Sequence, residues 1–447
     1  AMALVRSLLL AEILVPTYNN LWPGIKLTLS YTQNISFFIF LAIMLICTAL
    51  IAGIYPAFYV TSFKPVNILK GKTTFGGTSW FTRMLLTLQF AISLLCVISS
   101  VAYIRNAEYQ SDYDLGYSKD GVIIANVNGK NEFDAYRNIL ATNKDIKVIA
   151  GSANHVSDNY YKEPVKHGQI EHQVEIVDIG DEYLQAMNVH LLEGRAFIKD
   201  SETDKRESVI VSEEFVNQFR LTGNVIGTRL LLKGSLQLYI VGVVNDILTD
   251  GLWKSAAPVM LRYVGPDQYK QIVVSASPEN LQSVNEYMKN TWKKISPNTL
   301  YNGRYIDGNM YATQLINTNA VRILSFLGII ALLMSATGLF ALLSLNVLKK
   351  MKEIGVRKVL GASGANIARV INTEFIIILT ISSVLGSIMG YVMTDKMMGA
   401  IWEYYLPTNV VTLSICVTVL FVVAIVTVAY KTINTAFMNP VNTLREQ

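Results

Sequence analysis

Long apolar runs constrain this chain more than any other feature of its sequence. A run of about 20 apolar residues can cross the ~30 Å hydrocarbon core of a bilayer as a helix. Five runs reach this length, at 35–58, 84–104, 321–348, 372–394 and 409–430. A sixth run, 2–15, is shorter and carries Arg6 and Glu12, so it is either a spanning helix that is cut short or a signal peptide. The sequence therefore predicts a polytopic α-helical membrane protein with about six transmembrane helices.

Residues 105–319 differ from these runs, because they mix polar and apolar residues and contain ordinary turn signals. Their number is typical of a globular domain. Segments 121–127 and 237–246 are rich in Val and Ile, which indicates strands, whereas 131–142 and 279–295 have helical spacing. Ser212 followed by acidic residues predicts the start of another helix. We expect one α+β domain outside the membrane.

Lysine and arginine alternate between the short loops and predict the orientation of the chain. Loops rich in these residues face the cytoplasm. The segments 59–83 and 349–371 are basic, whereas 16–34 and 395–408 hold one lysine each. We therefore place the basic segments and the C-terminus in the cytoplasm, and the α+β domain on the opposite side.

The sequence offers no pattern typical of a catalytic, metal or nucleic-acid site. The net charge of +5 is small and scattered, and the four histidines lack the spacing of metal ligands. No Gly-x-Ser-x-Gly elbow occurs. Gly71-Lys72-Thr73 resembles the end of a phosphate-binding loop, but Val66 stands where that loop needs glycine. We expect a protein that is not itself an enzyme, with no cofactor and no metal bound by this chain.

Two similar segments indicate an internal repeat. "SFKPVNILKGK" at 62–72 and "AFMNPVNTLREQ" at 436–447 both follow an apolar run, and a chance match is the alternative. The matching positions at the cytoplasmic face are Phe63, Pro65 and Leu69 in the first segment, and Pro440 and Leu444 in the second. The second unit has a helix, an outer domain and three more helices, whereas the first shows only its last two helices. We therefore expect the missing first half, or a second permease copy, as a partner.

The helices also show features that bear on packing and length. The run 307–348 has no proline, so it can form one helix of ~60 Å, which would project from the membrane as a stalk under the domain. Gly386 and Gly390 allow a close approach of helices, either within the bundle or at a dimer seam. Glu374 lies near the cytoplasmic end of its run, where we expect a structural role.

The stretch "KKMKEIGVRKVLGAS" at 349–363 separates two apolar runs and is densely basic. Orientation alone would explain its charge. Its apolar spacing predicts a short amphipathic helix at the inner membrane surface, and the Gly361–Gly364 stretch predicts a turn after it. A surface that binds a cytoplasmic partner would need both the stripe and the turn.

Several of these segments together resemble the FtsX-like permease family, and the outer domain resembles the MacB-type periplasmic core domain. The segments are "KEIGVRKVLGAS", "SFKPVNILKGK", "YIVGVVNDI", "AAPVMLRY" and "NPVNTLRE". The resemblance implies the end of a first permease repeat at 1–82, a transmembrane helix at 83–104, the periplasmic core at 105–319 and a permease domain with three transmembrane helices at 320–447. The family's ATPase-coupling loop maps onto Lys352, Glu353, Gly355, Arg357, Lys358, Gly361 and Ala362.

The resemblance also implies a function and a set of partners. It implies the permease subunit of an ABC transporter in the bacterial inner membrane, in contact with membrane lipid, whose separate cytoplasmic ATPase binds ATP and Mg. Dimerisation of that ATPase would move the periplasmic domain, for export or extraction of a peptide, drug or lipoprotein. A periplasmic adaptor or substrate protein is a further expected partner, and no nucleic acid is expected. The alternatives are a membrane-anchored sensor or scaffold, and a regulator of cell-wall hydrolases.

Overall fold

The computed structural model describes residues 35–61, 80–306, 308–360 and 364–436, together with isolated residues from 8 to 19. It divides into two compact units. The bundle unit comprises 1–102, 319–393 and 408–447, and the globular unit comprises 103–318 and 394–407. The segment 394–407, which joins two apolar runs, thus belongs to the globular unit.

Five long helices account for the apolar runs. They are α1 (Ile35–Thr61), α2 (Trp80–Asp112), α8 (Gly308–Val359), α9 (Gly364–Ile401) and α10 (Val410–Ala436). Four stretches among the described residues are long and apolar enough to cross a membrane, namely Trp80–Asp112, Thr318–Ser344, Asn372–Ile401 and Val410–Ala429, and the apolar stretch Ile35–Leu50 is shorter. Four predicted spans are therefore confirmed as candidates, whereas the predicted total of about six is not reached in this part of the chain. Residues 8, 9, 11–13 and 15 of the run 2–15 are described and the others are not, so this run stays a prediction.

The bundle unit has an apolar interior and an apolar exterior. Phe90, Leu94 and Ile98 of α2 are buried against side chains of α8, α9 and α10. Ile329, Ile388 and Val426 face outward and are more than half exposed. Helices that are apolar on all sides are typical of a membrane environment, because lipid replaces water at the outer face.

The basic stretch after residue 348 is part of α8. This helix has 52 residues, which corresponds to about 78 Å at ~1.5 Å per residue. The expected short amphipathic helix is therefore wrong. Charged side chains do not stop a helix, and Gly355 costs only about 1 kcal/mol in a helix interior. The predicted break coincides with the end of α8 at Val359 and the start of α9 at Gly364; residues 361–363 lie outside the described residues.

The globular unit is built on one mixed sheet of eleven strands. The strands are β1 (Val122–Asn126), β2 (Ile146–Ser152), β3 (Tyr161–His167), β4 (Ile170–Ile179), β5 (Leu191–Gly194), β6 (Ser208–Ser212), β7 (Arg229–Leu232), β8 (Leu236–Val244), β9 (Val259–Tyr263), β10 (Gln271–Ala276) and β11 (Arg304–Tyr305). Six of them close into a barrel in the order β4-β3-β7-β8-β6-β9, because β9 pairs back onto β4. Strands β11, β1, β10 and β2 form an open sheet beside it.

Five shorter α-helices and three 3-10 turns complete the described part of this unit. They are α3 (Gly129–Leu140), α4 (Tyr183–Ala186), α5 (Glu202–Glu207), α6 (Glu213–Gln218), α7 (Leu281–Ile295) and, as 3-10 turns, Gly251–Trp253, Pro266–Gln268 and Pro278–Asn280 between the strands. The predicted α+β class, strands at β1 and β8 and helices at α3 and α7 are confirmed. Ser212 caps α6 as expected, since its side chain accepts a hydrogen bond from Phe215 N.

The open sheet and the barrel have separate cores. Helices α3 and α7 cover one face of the open sheet, with Tyr136 and Trp292 buried between them. The barrel interior holds Val174, Ile240 and Met260.

The open sheet and the barrel meet at two glycines covered by Tyr269. A Cβ at Gly151 would lie 2.2 Å from a Tyr269 ring carbon, and one at Gly180 would lie 1.9 Å from its hydroxyl oxygen. Only glycine fits at either position, because side chains do not tolerate contacts that short.

Candidate functional site

The turn between α9 and α10 is held by hydrogen bonds within the globular unit. Residues 402–407 form this turn, which we name the return loop. The backbone amides of Glu403 and Tyr404 both donate hydrogen bonds to Leu252 O, at 3.1 and 3.2 Å. The Tyr404 hydroxyl accepts a further hydrogen bond from Ala256 N at 3.1 Å. The return loop therefore follows the position of the turn at 251–256.

The end of α2 holds the other side of the return loop. Asn106 Oδ1 accepts a hydrogen bond from Leu406 N at 2.9 Å, and Gln110 Nε2 donates to Tyr404 O at 3.0 Å. Both side chains are almost fully buried. Buried amides that bond to backbone groups are directional, so they set the position of the loop along α2.

Aromatic rings fill the space between these hydrogen bonds. The Trp402 ring is 1% exposed, and its centroid lies 5.9 Å from that of Tyr103 and 6.1 Å from that of Trp253. Tyr404 lies 5.3 Å from Tyr113. We name the whole arrangement the loop clamp, which consists of Tyr103, Asn106 and Gln110 of α2, Tyr113 directly after α2, residues 251–256 and the return loop.

Sequence reasoning treated 395–408 only as a short outward loop and so missed the loop clamp. Two signals were available. Asn106 and Gln110 are four residues apart just after an apolar run, which places two amides on one helix face. Trp402, Tyr404 and Tyr405 form an aromatic cluster at the end of the next-to-last run, and such residues favour membrane interfaces.

Polar contacts tie α2 to its neighbours within the bundle unit. Arg83 Nε lies 2.8 Å from Glu374 Oε1, and Asn346 Nδ2 donates to Glu374 Oε2 at 3.4 Å. This cluster joins α2, α8 and α9 and explains how a carboxylate is tolerated at the end of a span. Farther along α2, the Ser93 and Ser335 hydroxyls lie 2.7 Å apart.

Small residues bring α9 close to α2. A Cβ at Gly386 would lie 2.9 Å from Ala91 O, and one at Gly390 would lie 2.7 Å from Ile98 Cδ1. Both glycines thus face α2 of the same chain. Close backbone approach supplies the van der Waals contact that holds helices together in lipid.

The residues of the family's coupling loop divide between described and undescribed parts of the chain. Positions Lys352, Glu353, Gly355, Arg357 and Lys358 lie in the last turns of α8. The Arg357 side chain is exposed. Gly361, Ala362 and the repeat-motif positions Phe63, Pro65, Leu69, Pro440 and Leu444 lie outside the described residues.

The globular unit does not gather its histidines into one site. Among the described residues, no group of three His, Cys, Asp or Glu side chains could hold a metal ion. His155 is fully buried, with Nδ1 3.1 Å from Ser157 Oγ and Nε2 3.4 Å from Met187 Sδ. Burial, and secondarily the positive charge of Arg304, lowers the pKa of His155 to about 3. This imidazole is therefore a neutral core group.

Comparisons with known proteins match both units. Residues 84–291 match the family model "MacB-like periplasmic core domain", and residues 325–440 match "FtsX-like permease C-terminal". The resemblance predicted from the loop motif is thus confirmed.

Curated relatives carry similar names. The probable export ATP-binding/permease protein MacB of Pseudomonas entomophila is 22% identical over 241 residues, which cover 51% of this chain and 35% of the relative. The macrolide export ATP-binding/permease protein MacB of Acinetobacter baylyi is 22% identical over 277 residues, which cover 58% and 41%. The chain spans less than half the length of these relatives. Among solved structures, the periplasmic region of MacB from Actinobacillus actinomycetemcomitans is 15% identical with a TM-score of 0.31, covering 44% of this chain and 94% of that one.

Proposed function

Because this chain belongs to the MacB/FtsX-type family of ABC transporter permeases, we propose that it couples ATP hydrolysis by a separate cytoplasmic ATPase to movement of its globular unit. The globular unit would lie in the periplasm and the bundle unit in the bacterial inner membrane. The work done on the periplasmic side would be export or extraction of a peptide, drug or lipoprotein. In this proposal the chain itself performs no catalysis.

The loop clamp is the observation that carries the proposal. It fixes the end of α2, the return loop and the turn at 251–256 to one another through buried hydrogen bonds and aromatic contacts. Helices α2, α8 and α9 each contribute residues to both units. A helix is stiff over these lengths, whereas a loop is not. In this proposal these helices carry a displacement from the bundle unit to the globular unit.

The C-terminal end of α8 is the proposed binding surface for the ATPase, and we name it the grip. Lys352, Arg357 and Lys358 lie there, in a segment whose charge favours the cytoplasmic side. In this proposal ATP and Mg are bound by the partner ATPase. Both relatives described above are named ATP-binding/permease proteins, so their names join a permease to an ATP-binding activity in one protein.

A charge reversal at the grip tests the proposal. The tagged full chain would be co-expressed with each ABC ATPase of its own organism and purified in ATP, ADP or no nucleotide. We expect one ATPase to co-purify, and we expect Arg357→Glu to abolish its association because a carboxylate replaces a cation at the contact. Arg206→Glu is the matched control, since it makes the same charge change at an exposed position of the globular unit.

The two outcomes separate clearly. Loss of the ATPase in Arg357→Glu with retention in Arg206→Glu supports the proposal. If no ATPase associates in any nucleotide state, or if both variants retain it equally, the grip is not at the end of α8 and the proposed coupling fails.

A further inference from the structure

A cavity of 640 Å³ lies in the globular unit where the open sheet meets the barrel. Its lining includes Asn126 at the end of β1, Lys270 and Gln271 at the start of β10, and Asp178 near the end of β4. The volume falls in the range of about 300–1,000 Å³ that small-molecule sites occupy. None of the candidate site residues named in the sequence analysis lies here.

The strand register places a row of three polar residues at this cavity, and two of them line it. Asn126 of β1 stands opposite Gln271 of β10, which stands opposite Ser152 of β2. Residues directly opposite on neighbouring strands project to the same face of a sheet. Their neighbours Ala125 and Ile272 project to the other face and join the apolar core under α3 and α7. The polar row thus lies at the last residues of β1 and β2 and the first residue of β10.

Gln271 carries a hydrogen-bond acceptor without a donor. The residue is 4% exposed, and within the described part of the chain its Oε1 has no hydrogen-bond partner. Ser152 Oγ likewise has no hydrogen-bond partner among the described residues, and Ser152 is 0% exposed. A buried polar group left unpaired costs about 1–3 kcal/mol. A ligand that donates a hydrogen bond to Gln271 Oε1 would recover this cost.

The charges of the lining are balanced. Asp178 and Lys270 are its only acid and its only base among the described residues. Asp178 already accepts hydrogen bonds from the Tyr161 hydroxyl at 3.2 and 3.1 Å, and Arg262 Nη1 lies 3.9 Å from its Oδ1. Burial also raises the pKa of Asp178. A lining of this kind does not select for a charged ligand.

The remaining side chains are mostly amides. Asn126, Asn128, Asn154 and Asn159 line the cavity, and each carboxamide can donate and accept hydrogen bonds. Aliphatic lining is limited to Val127 and Ala153, which are joined by the ring of Tyr161. Hydroxyl groups also donate and accept at the same atom. An amide-rich wall with more polar than apolar surface therefore matches a ligand that carries many hydroxyls.

We propose that this cavity binds a neutral polyhydroxylated ligand, one or two sugar units in size, with a hydroxyl donating to Gln271 Oε1. Lys270 and the asparagines supply the surrounding hydrogen bonds, and Tyr161 offers a ring against one sugar face. This binding activity is independent of the proposed coupling to an ATPase, because the cavity and its lining lie wholly within the globular unit.

The test uses the full chain in a detergent that has no sugar headgroup. N-acetylglucosamine, its β-1,4 dimer and maltose are the probes, and trialanine tests the competing peptide class. Binding is followed by isothermal titration and by saturation-transfer NMR. We expect saturable binding of at least one sugar at millimolar concentration. We expect Gln271→Leu to weaken it about tenfold or more, which corresponds to about 1.4 kcal/mol.

Matched variants keep the test decisive. Gln173→Leu makes the same change at an exposed position of β4 and should leave binding unchanged. Without ligand, Gln271→Leu should melt no lower than the parent chain, because it removes an unpaired buried acceptor. If Gln271→Leu does not fold, Asn126→Ala and Lys270→Met take its place, since both side chains are exposed and their truncation leaves the core intact.

Three results would overturn the proposal. These are no saturable binding of any of the three sugars, sugar binding that survives every lining variant, and trialanine binding that Gln271→Leu abolishes while the sugars do not bind. The first two remove the site, and the third reassigns it to a peptide.

Discussion

Replacement of Trp402 by alanine should release the return loop while the rest of the globular unit stays folded. Trp402 fills the centre of the loop clamp and contacts rings from α2 and from the turn at 251–256. The ring of Tyr404, which packs on Tyr113, is a second aromatic contact of the loop. Local stability differs from global stability where a segment depends on a small number of buried groups.

The magnitude follows from burial and from one unpaired donor. A buried tryptophan hides about 200 Å² of mostly apolar surface, which is worth about 5 kcal/mol at ~25 cal/mol per Å². Alanine retains part of this, and large-to-small aromatic changes in cores cost about 3–5 kcal/mol. Trp402 Nε1, however, has no hydrogen-bond partner within the described residues, and removal of that buried donor returns about 1 kcal/mol. The net loss is about 2–4 kcal/mol, or an increase of about 30- to 1,000-fold in the undocked population.

Amide hydrogen exchange measures this population directly. The backbone amides of Glu403, Tyr404 and Leu406 are each donated within the loop clamp, so their exchange requires undocking. We expect their exchange in Trp402→Ala to accelerate by the factor above, whereas strands β1 and β10 keep their protection. Trp402→Phe keeps a ring and removes the unpaired donor, so its effect should be much smaller. Trp80→Ala is the matched control, because Trp80 is 76% exposed.

Unchanged exchange at 403–406 in a folded Trp402→Ala protein would refute this reasoning. It would mean that the hydrogen bonds to Asn106 and from Gln110 hold the return loop without the ring. Acceleration throughout the globular unit would also contradict it, because the loop clamp would then be part of the global core.

Two further predictions concern packing and pH. Gly386→Ala should lower the melting temperature of the detergent-solubilised chain, because the added Cβ would lie 2.9 Å from Ala91 O. Gly328→Ala is the control and should not lower it, because the nearest atom to its Cβ would be 3.8 Å away. Equal melting temperatures of the two variants would contradict the close approach of α9 to α2. The pKa of His155 is ~6.5 in the unfolded chain and about 3 in the folded one, so between these pH values only the unfolded state binds a proton. The free energy of unfolding, measured in urea, should therefore fall by about 2 kcal/mol from pH 7 to pH 5. His155→Phe should remove this drop, whereas His190→Gln, a change at an exposed histidine, should keep it. If His155→Phe keeps the pH dependence of the parent chain, the drop belongs to another group.

Local patterns in the sequence determined the class of the protein. Apolar runs identify spanning helices because a backbone in lipid must satisfy its own hydrogen bonds, which a helix does within one segment. Strands β1 and β8 and helices α3 and α7 were also readable, since their side-chain periodicity depends only on near neighbours. The end of α8 was misjudged because a change from apolar to basic residues alters the environment of a helix without interrupting its backbone.

Only the tertiary structure decided the features on which function depends. The barrel closes through the pairing of 175–179 with 259–263, and the loop clamp joins Asn106 to a residue 300 positions away. The polar row at Asn126, Gln271 and Ser152 depends on strand register, and a slip of one residue would turn it to the other face. Composition and periodicity report what each segment prefers to bury. They do not report which distant segment will cover it, because that choice is made by the packing of the whole chain.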